Sequence, residues 1–573
     1  MAETKNCKQC GEQFEITEEE LEFLKKISPT FAGKTFEIPS PTFCPDCRTQ
    51  RRMAWRNERS LYKRKCDKTE EEIVSIYSPD KPYKVYKNSV WTSDAWNPLE
   101  FARDIDTNRS FFEQFNELML AVPRKAGNTT MIENSDFCNQ VWHTKDSYLC
   151  FNSGYLENCY YCSTLFHSRD CIDSYDIKNS EDCYFCFNCD NCNNSSFLES
   201  CRNCSESHYS YDCQSCTNVF LSSGLRNKQY YIENKSYSKE EYLEKIKSFD
   251  SGKRSAVSTV KERFNEVKKQ AVHKENNNFQ VEECTGDYLI QCKNCTNCYN
   301  AYTSENCSNV INIDEKGKEC RDCGFLAEAE LAYEGISIAG YKNLFSAFIP
   351  GGRDNLYCNF LDNCNNCFGC VGLTHKEYCI LNKQYTKEEY EQNAVQIIEK
   401  MIERGEWGEF FPMSLSPFGY NETMANLFLS KTKESSAALG AKWQDNDYSL
   451  KYDGSFYEPK DGIEDYIDDE GERQALLNGI LKCEISGKAF KIIPQELAFY
   501  LKNRYPIPTK HPEERYLELF GLHNPLKLYH RQCMCEQEGH DHSGRCPNEF
   551  KTTYAPDRPE KVYCELCYQK EII

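Results

Sequence analysis

The chain has 573 residues, 36 of them cysteine, and a net charge of −20. That length implies several domains, and the acidic balance excludes a surface that coats nucleic acid or anionic membrane as a whole. No window approaches the roughly 18 apolar residues of a membrane span, and the amino terminus MAETKNCKQC has no apolar run of signal-peptide length. The sequence therefore predicts a cytoplasmic protein with reduced thiols, in which cysteine serves metal or packing and not a disulfide framework.

In chain order, residues 1–105 form the first predicted module. Cys7-x-x-Cys10 and Cys44-x-x-Cys47 make a four-thiolate set, which suits tetrahedral zinc in a closed structural site and leaves no open position for catalysis. Thr17 and Glu20 mark a helix start between the two pairs. After Cys47 comes a basic strip, in which Arg48, Arg51, Arg52, Arg56, Arg59, Lys63, Arg64 and Lys65 face the single acid Glu58. With Trp55 and Tyr62 interleaved, this strip reads as a basic helix that meets a phosphate backbone. The alternative is a strip that pairs with acids elsewhere in the chain, such as the run 445–474. The pattern CxxCG-x-x-F followed by CPxCR resembles the zinc-ribbon family of treble-clef type, which implies a zinc-stabilised α+β module.

Residues 106–132 read as a helical linker, with Phe111, Phe112, Phe115, Leu118 and Met119 on one face and Pro123 at its end. From 133 to 236 the sequence repeats every twelve residues, as in ENSDFCNQVWHT, KDSYLCFNSGYL and ENCYYCSTLFHS. Columns three, six, nine and twelve hold Cys, Ser, Val, Leu or Ile in most rows, and column two is always Asn, Asp or Glu. Twelve residues suit a coil of short strands and turns, so the segment reads as a parallel β-helix with four inward columns. Eight such coils at about 4.8 Å make a rod of roughly 38 Å. The pattern is similar to that of the insect antifreeze β-solenoids, in geometry alone. In the coil EDCYFCFNCDNC all four inward columns are cysteine (Cys183, Cys186, Cys189 and Cys192), a run that superficially matches an iron–sulfur motif without its trailing proline. Columns four and five carry an outward aromatic strip, including Tyr160, Tyr161, Tyr184, Phe185, Phe197, Tyr209 and Phe220. The helical segments 106–122 and 237–272 are the candidates to cover it.

A helical insertion at 237–279 opens on a capping box, Ser238 and Glu241. Less regular coils follow over 280–385, and GLTHKEYCILNKQYTKEEY repeats the end of the first half, GLRNKQYYIENKSYSKEEY. The centre thus reads as a duplicated solenoid. Residues 386–474 read as a helix and an acidic linker, with eleven acids against three bases over 445–474.

Residues 475–573 repeat the first module: CEISGKAFKIIPQELAF matches CKQCGEQFEITEEELEF, and HNPLKLYHRQC matches RNERSLYKRKC. The first quartet has decayed there to Cys483, Ser486, His511 and Glu514. The tail CPNEFKTTYAPDRPEKVYCELCY resembles the tail zinc ribbons of small bacterial proteins, which implies zinc on Cys546, Cys564 and Cys567. The position three before Cys546 is Ser543, so the fourth ligand comes from Cys535, Cys533, His540 or His542, with Cys535 favoured.

The expected fold is mainly β: a central duplicated parallel β-helix of about 12 residues per coil, flanked by two related small zinc-ribbon α+β modules, with helical insertions. Taken whole, the chain resembles a cysteine-rich, zinc-ribbon-flanked family of candidate-phylum bacteria, a resemblance that implies the architecture and no activity. No glycine-rich phosphate loop, GxSxG elbow or clustered acid–base set appears. The sequence points to a non-enzymatic scaffold holding about two zinc ions per chain, with RNA or a ribonucleoprotein as the partner of Arg48–Lys65 and no membrane or small-molecule substrate. The competing readings are a thiol-rich metal or redox protein using the solenoid cysteines, and an enzyme built on a β-helix.

Overall fold

The structure is a computed structural model that describes residues 2–249, 252–314, 317, 319–321, 324–327 and 329–572. Of the solenoid cysteines, Cys323 lies outside these residues. The chain divides into two compact units, one of Met1–Gly127 with Asn276–Asn446, the other of Asn128–Glu275 with Asp447–Ile573. The amino-terminal module thus shares a unit with the second solenoid half, and the carboxy-terminal module shares one with the first. Among the described residues no helix is long and apolar enough to cross a membrane.

In the unit that begins at Asn128, parallel strands from Thr129–Glu133 to Gln229–Ile232 stack in a register of twelve, as in Val141↔Ser153 and Ser163↔Tyr175. The backbone explains the columns. Nearly every third residue takes the left-handed conformation, from Asn134 at φ 44° through Phe137 at 55°, Gln140 at 57° and His143 at 48°. Column two is confined to Asn, Asp and Glu because it holds such a position; Asn and Asp tolerate it best. Asn134 donates to Asp146 one coil on (3.1 Å), and Asn158 to Asp170 (3.2 Å). Column five places aromatics there instead, including Tyr161 at φ 58° and Phe185 at 55°. The left-handed cost is about 1–2 kcal/mol each, and burying an aromatic side chain gains about 1.5–3 kcal/mol.

The residue after most of these left-handed positions points inward. Cys150, Cys159, Cys162, Cys171, Cys183 and Cys186 are fully buried beside Leu165, Ile177 and Leu198. Cysteine and serine alternate in these columns because both do the same work. Ser135 Oγ donates to the Glu133 carbonyl at 2.7 Å and the Thr144 carbonyl at 3.3 Å, and accepts the Ser147 N–H at 3.1 Å. Cys150 Sγ donates to the Tyr148 carbonyl at 3.7 Å and the Cys159 carbonyl at 3.2 Å, and accepts the Cys162 N–H. Burial pushes the Cys150, Cys159 and Cys201 thiols well above their ordinary range. Against the upward push of burial, hydrogen bonds from neighbouring thiols draw Cys171 to about 5 and Cys186 to about 6. Both sulfurs nevertheless face carbonyl oxygens, at 3.2 Å (Arg169) and 3.5 Å (Tyr184), which suits a protonated thiol and not an anion. The same holds across EDCYFCFNCDNC, where all four thiols donate to the carbonyl two residues back at 3.2–3.6 Å. A substitution separates this role from any other: Cys150→Ser is expected to stay within about 1 kcal/mol of wild type in urea unfolding. Cys150→Ala should lose about 1–3 kcal/mol by orphaning the Cys162 N–H.

The aromatic strip is covered. Tyr160, Tyr161, Tyr184, Phe197, Tyr209 and Phe220 join one core with Tyr242, Val260 and Phe264 and with Phe490, Leu497 and Phe499 of the carboxy-terminal module. The expected helix 237–272 is two helices, Lys239–Ile246 behind the Ser238/Glu241 capping box and Arg254–Gln270. The expected helix over 106–122 is Phe111–Ala121, but it does not cover this strip. Its Phe111 and Phe115 pack in the other unit, against Tyr357 and Phe368 (5.4 and 5.3 Å between centroids) and against Phe411 (4.7 Å).

In the unit that begins at Met1, the stack runs from Gly286–Ile290 to Glu377–Ile380, and its register drifts: twelve at Gly286↔Cys298, thirteen at Ile311↔Gly324, eleven at Ile336↔Ala347. Both stacks close alike. An antiparallel strand caps each, Lys235–Ser236 and Lys383–Gln384, and a capping-box helix follows, here Lys387–Arg404 behind Thr386 and Glu389. That helix buries Tyr390, Ala394, Ile397 and Met401 in a core shared with Phe23, Trp55 and Phe345.

Candidate metal centres

The amino-terminal module is built from short antiparallel strands and helix starts. Glu3–Asn6 pairs with Gln13–Ile16, ending in Asn6↔Gln13, so Cys7 and Cys10 fall in the tight connection. Thr17 caps the helix Glu18–Ile27, its Oγ accepting the Glu20 N–H at 3.1 Å. Cys44 is itself the N-cap of the helix Pro45–Met53, which puts Cys47 on the first turn. The four sulfurs converge, all within 4.8 Å of one another. Cys10 and Cys44 stand 3.8 Å apart, the edge of about 3.8 Å that tetrahedral zinc with bonds of about 2.3 Å requires. Cys44 N–H donates to Cys7 Sγ at 3.3 Å. Hydrogen bonding from Cys47 draws the Cys44 thiol down to about 5, and Cys44 in turn pushes Cys47 up. Four sulfurs this close ionise together only around a cation.

The basic strip does not form one helix. The helix ends at Met53, and Tyr62–Lys65 is a strand paired with Glu72–Ser75. Arg48, Arg51, Arg52 and Arg56 are buried among carboxylates. Arg51 bonds Glu334 (2.5 Å) and Glu409 (2.9 Å) and lies over the Phe43 ring at 4.6 Å; Arg52 lies 3.9 Å from Glu334. Arg48 reaches Glu20 at 3.4 Å, and Arg56 reaches Glu58 at 2.5 Å. This corrects the expectation of a phosphate-reading face for those four: desolvation and carboxylate pairing claim their charge. Arg59 and Arg64 are half-buried, Arg64 with Asp67 at 3.0 Å, and Lys63 and Lys65 are exposed.

The second centre repeats the first in construction. Tyr529–Gln532 pairs with Glu549–Thr552, the connection between them carries Cys533 and Cys546, and Cys564 is the N-cap of Glu565–Glu571 with Cys567 on its first turn. The converging quartet is Cys533, Cys546, Cys564 and Cys567. Cys564 N–H donates to Cys533 Sγ at 3.2 Å, the same bond that Cys44 makes to Cys7. Burial pushes the Cys564 thiol up, and hydrogen bonds from Asn548 and the neighbouring thiols bring it below its ordinary value. Cys535, the favoured fourth ligand, is corrected to Cys533. The tail pattern puts the partner three residues before Cys546, where this chain has Ser543, whereas twelve residues separate Cys533 from Cys546. The signal was present in the internal match: HNPLKLYHRQC places Cys533 on Cys66, and Lys87 N–H donates to Cys66 Sγ at 3.3 Å as Cys564 N–H does to Cys533. Cys535 stands instead with His540, His542 and Cys567.

At the positions that match the first quartet in sequence, Cys483 packs with Phe490 and Leu497, and His511 Nδ1 accepts the Glu513 N–H at 3.1 Å, capping Pro512–Phe520. That position in the first module belongs to Cys44. The modules also share a buried ion pair at matching positions, Arg48–Glu20 and Arg515–Glu496 (3.1 Å). Arg515 further bonds Asp173 of the first solenoid half at 2.5 Å. Burial pushes the Asp173 carboxyl up to about 7 against the pull of Arg515. The half-buried trio Asp170, Glu181 and Asp182 also converges, with Lys502 bonded to Asp182 at 2.8 Å. No protein-family model matches the chain, and no curated protein matches it.

Proposed function

We propose that this protein is a zinc-stabilised scaffold without catalytic activity, in which two ribbon-like modules of common origin each hold a structural zinc and brace a β-solenoid half. The observation that carries the reading is the division of its thiols into two classes. Solenoid sulfurs donate protons to backbone carbonyls and so act as small buried polar groups. The terminal sulfurs converge in two quartets on helix N-termini, where N–H groups favour thiolate and four thiolates close the shell around zinc. RNA contact through the basic strip would rest on Lys63 and Lys65, and charge reversal at those two residues tests it by loss of co-purified RNA.

Metal analysis of the full chain tests the main reading. Purified protein should carry zinc, and Cys44→Ser and Cys533→Ser should each lose at least one equivalent. Zinc content unchanged in both variants would sink it. Iron with visible charge-transfer absorption would favour the thiol-rich redox alternative.

A further inference from the structure

Relative to its counterpart in the first module, the carboxy-terminal connection is expanded. Two residues separate Cys66 from Thr69, a side-chain partner of its thiol, where twelve separate Cys533 from Cys546. The added stretch brings Cys535, His540 and His542, and their ligand atoms converge with Cys567 Sγ within 4.8 Å. We propose that this stretch builds a second metal site, of two thiolates and two imidazoles, and that Cys567 bridges it to the four-cysteine site. The chain would then hold three zinc ions, two of them as a thiolate-bridged pair. The proposal rests on the reading of the quartets as zinc sites.

Geometry supports it at each ligand. Zinc bonds of about 2.3 Å to sulfur and about 2.0 Å to nitrogen put tetrahedral neighbours about 3.5 Å apart. Cys535 Sγ lies 3.1 Å from His540 Nδ1, and Cys567 Sγ lies 3.5 Å from His542 Nε2. The remaining nitrogen of each ring is engaged as metal-bound histidines require: His540 Nε2 faces Glu571 at 3.4 Å, and His542 Nδ1 faces the Gly544 carbonyl at 2.8 Å. Those bonds fix which nitrogen points at the metal. Cys535 is fully buried and the His540 side chain is 8% exposed. The loop is clamped at its base by Cys546 N–H to the Cys535 carbonyl (2.9 Å), and along its length by Lys570 to Asp541 (3.0 Å). The helix Glu565–Glu571 therefore supplies the bridging sulfur, the carboxylate behind His540 and the clamp on the loop. A net of two thiolates and two neutral imidazoles matches zinc in charge and softness.

The test is metal content of the full chain, purified without a histidine tag in metal-depleted buffer. Wild type should carry three zinc ions, and His540→Ala/His542→Ala should carry two. Cys535→Ser gives an independent variant that leaves the quartet intact and should also carry two. In cobalt-substituted protein the bridging sulfur should couple two ions, so the histidine variant should show a stronger cobalt paramagnetic signal per ion than wild type. Two zinc ions in wild type, unchanged in these variants yet each lost with Cys44→Ser or Cys533→Ser, would overturn the bridged pair while the scaffold reading stands. Fewer than two in wild type would overturn both. Three ions with uncoupled cobalt would overturn the bridge.

Discussion

If the two quartets hold metal as proposed, its removal by a strong chelator is expected to unfold the carboxy-terminal module while leaving most of the amino-terminal module in place. In hydrogen exchange, amides of Glu549–Thr552 and Glu565–Glu571 should lose about a thousandfold or more of their protection, equivalent to about 4 kcal/mol. The reason is what each centre has besides metal. Five of the seven buried residues in the carboxy-terminal cluster are cysteines, joined by Tyr563 and Tyr568. A core made of its own ligands has almost no apolar area to fall back on, and structural zinc supplies an apparent 10 kcal/mol or more in such modules. The first centre is attached to helices whose Phe23, Leu24, Ile27 and nearby Trp55 belong to a large apolar core. Its loss of metal should free the Cys7 hairpin and spare the helix Pro45–Met53. The half-module around Cys483 shows the limit of this behaviour, keeping its hairpin and helices on Phe490, Leu497 and Tyr500. Equal loss of protection at both ends, or none at either, would contradict this account.

The second large effect is expected at Arg51. Arg51→Met should destabilise its unit by about 3–5 kcal/mol in urea unfolding, because it takes the closest guanidinium from two carboxylates, one of them buried at 1% exposure. Adding Glu334→Gln should recover part of the loss, since the pair couples. An Arg51→Met variant as stable as wild type would show that the strip is not an internal brace. The same logic bears on nucleic acid: reversing Arg51, Arg52 and Arg56 to Glu would place like charges against Glu334, Glu409 and Glu58. Any loss of RNA in that variant would then report unfolding and not a lost contact, which is why Lys63 and Lys65 are the residues to change.

These two cases divide what could be read along the chain from what could not. The twelve-residue period set the parallel coil and its inward columns, because inward direction follows from a local backbone repeat. CKQC with CPDC marked the first quartet, since each close pair supplies two ligands from one turn. The capping boxes at Ser238 and Thr386 marked helix starts in the same local way. Even the confinement of column two to Asn, Asp and Glu was visible, although its cause, a left-handed position in every coil, needed the backbone.

The sequence by itself thus determined the coil, its small polar or apolar interior and the close pairs Cys7/Cys10, Cys44/Cys47 and Cys564/Cys567, all of which depend on neighbours a few residues away, while Cys546 followed from a resemblance to tail zinc ribbons. The tertiary structure alone decided three things. It paired each module with the solenoid half more distant in the chain. It turned a basic strip into buried ion pairs by bringing Glu334 and Glu409 across about 300 residues to Arg51. It chose Cys533 over Cys535, because a looped-out connection lets the distant sulfur reach the quartet and turns the nearer one toward His540 and His542. Charge and sulfur spacing are local properties, whereas desolvation and convergence depend on which surfaces meet, and that is written in the packing of whole elements.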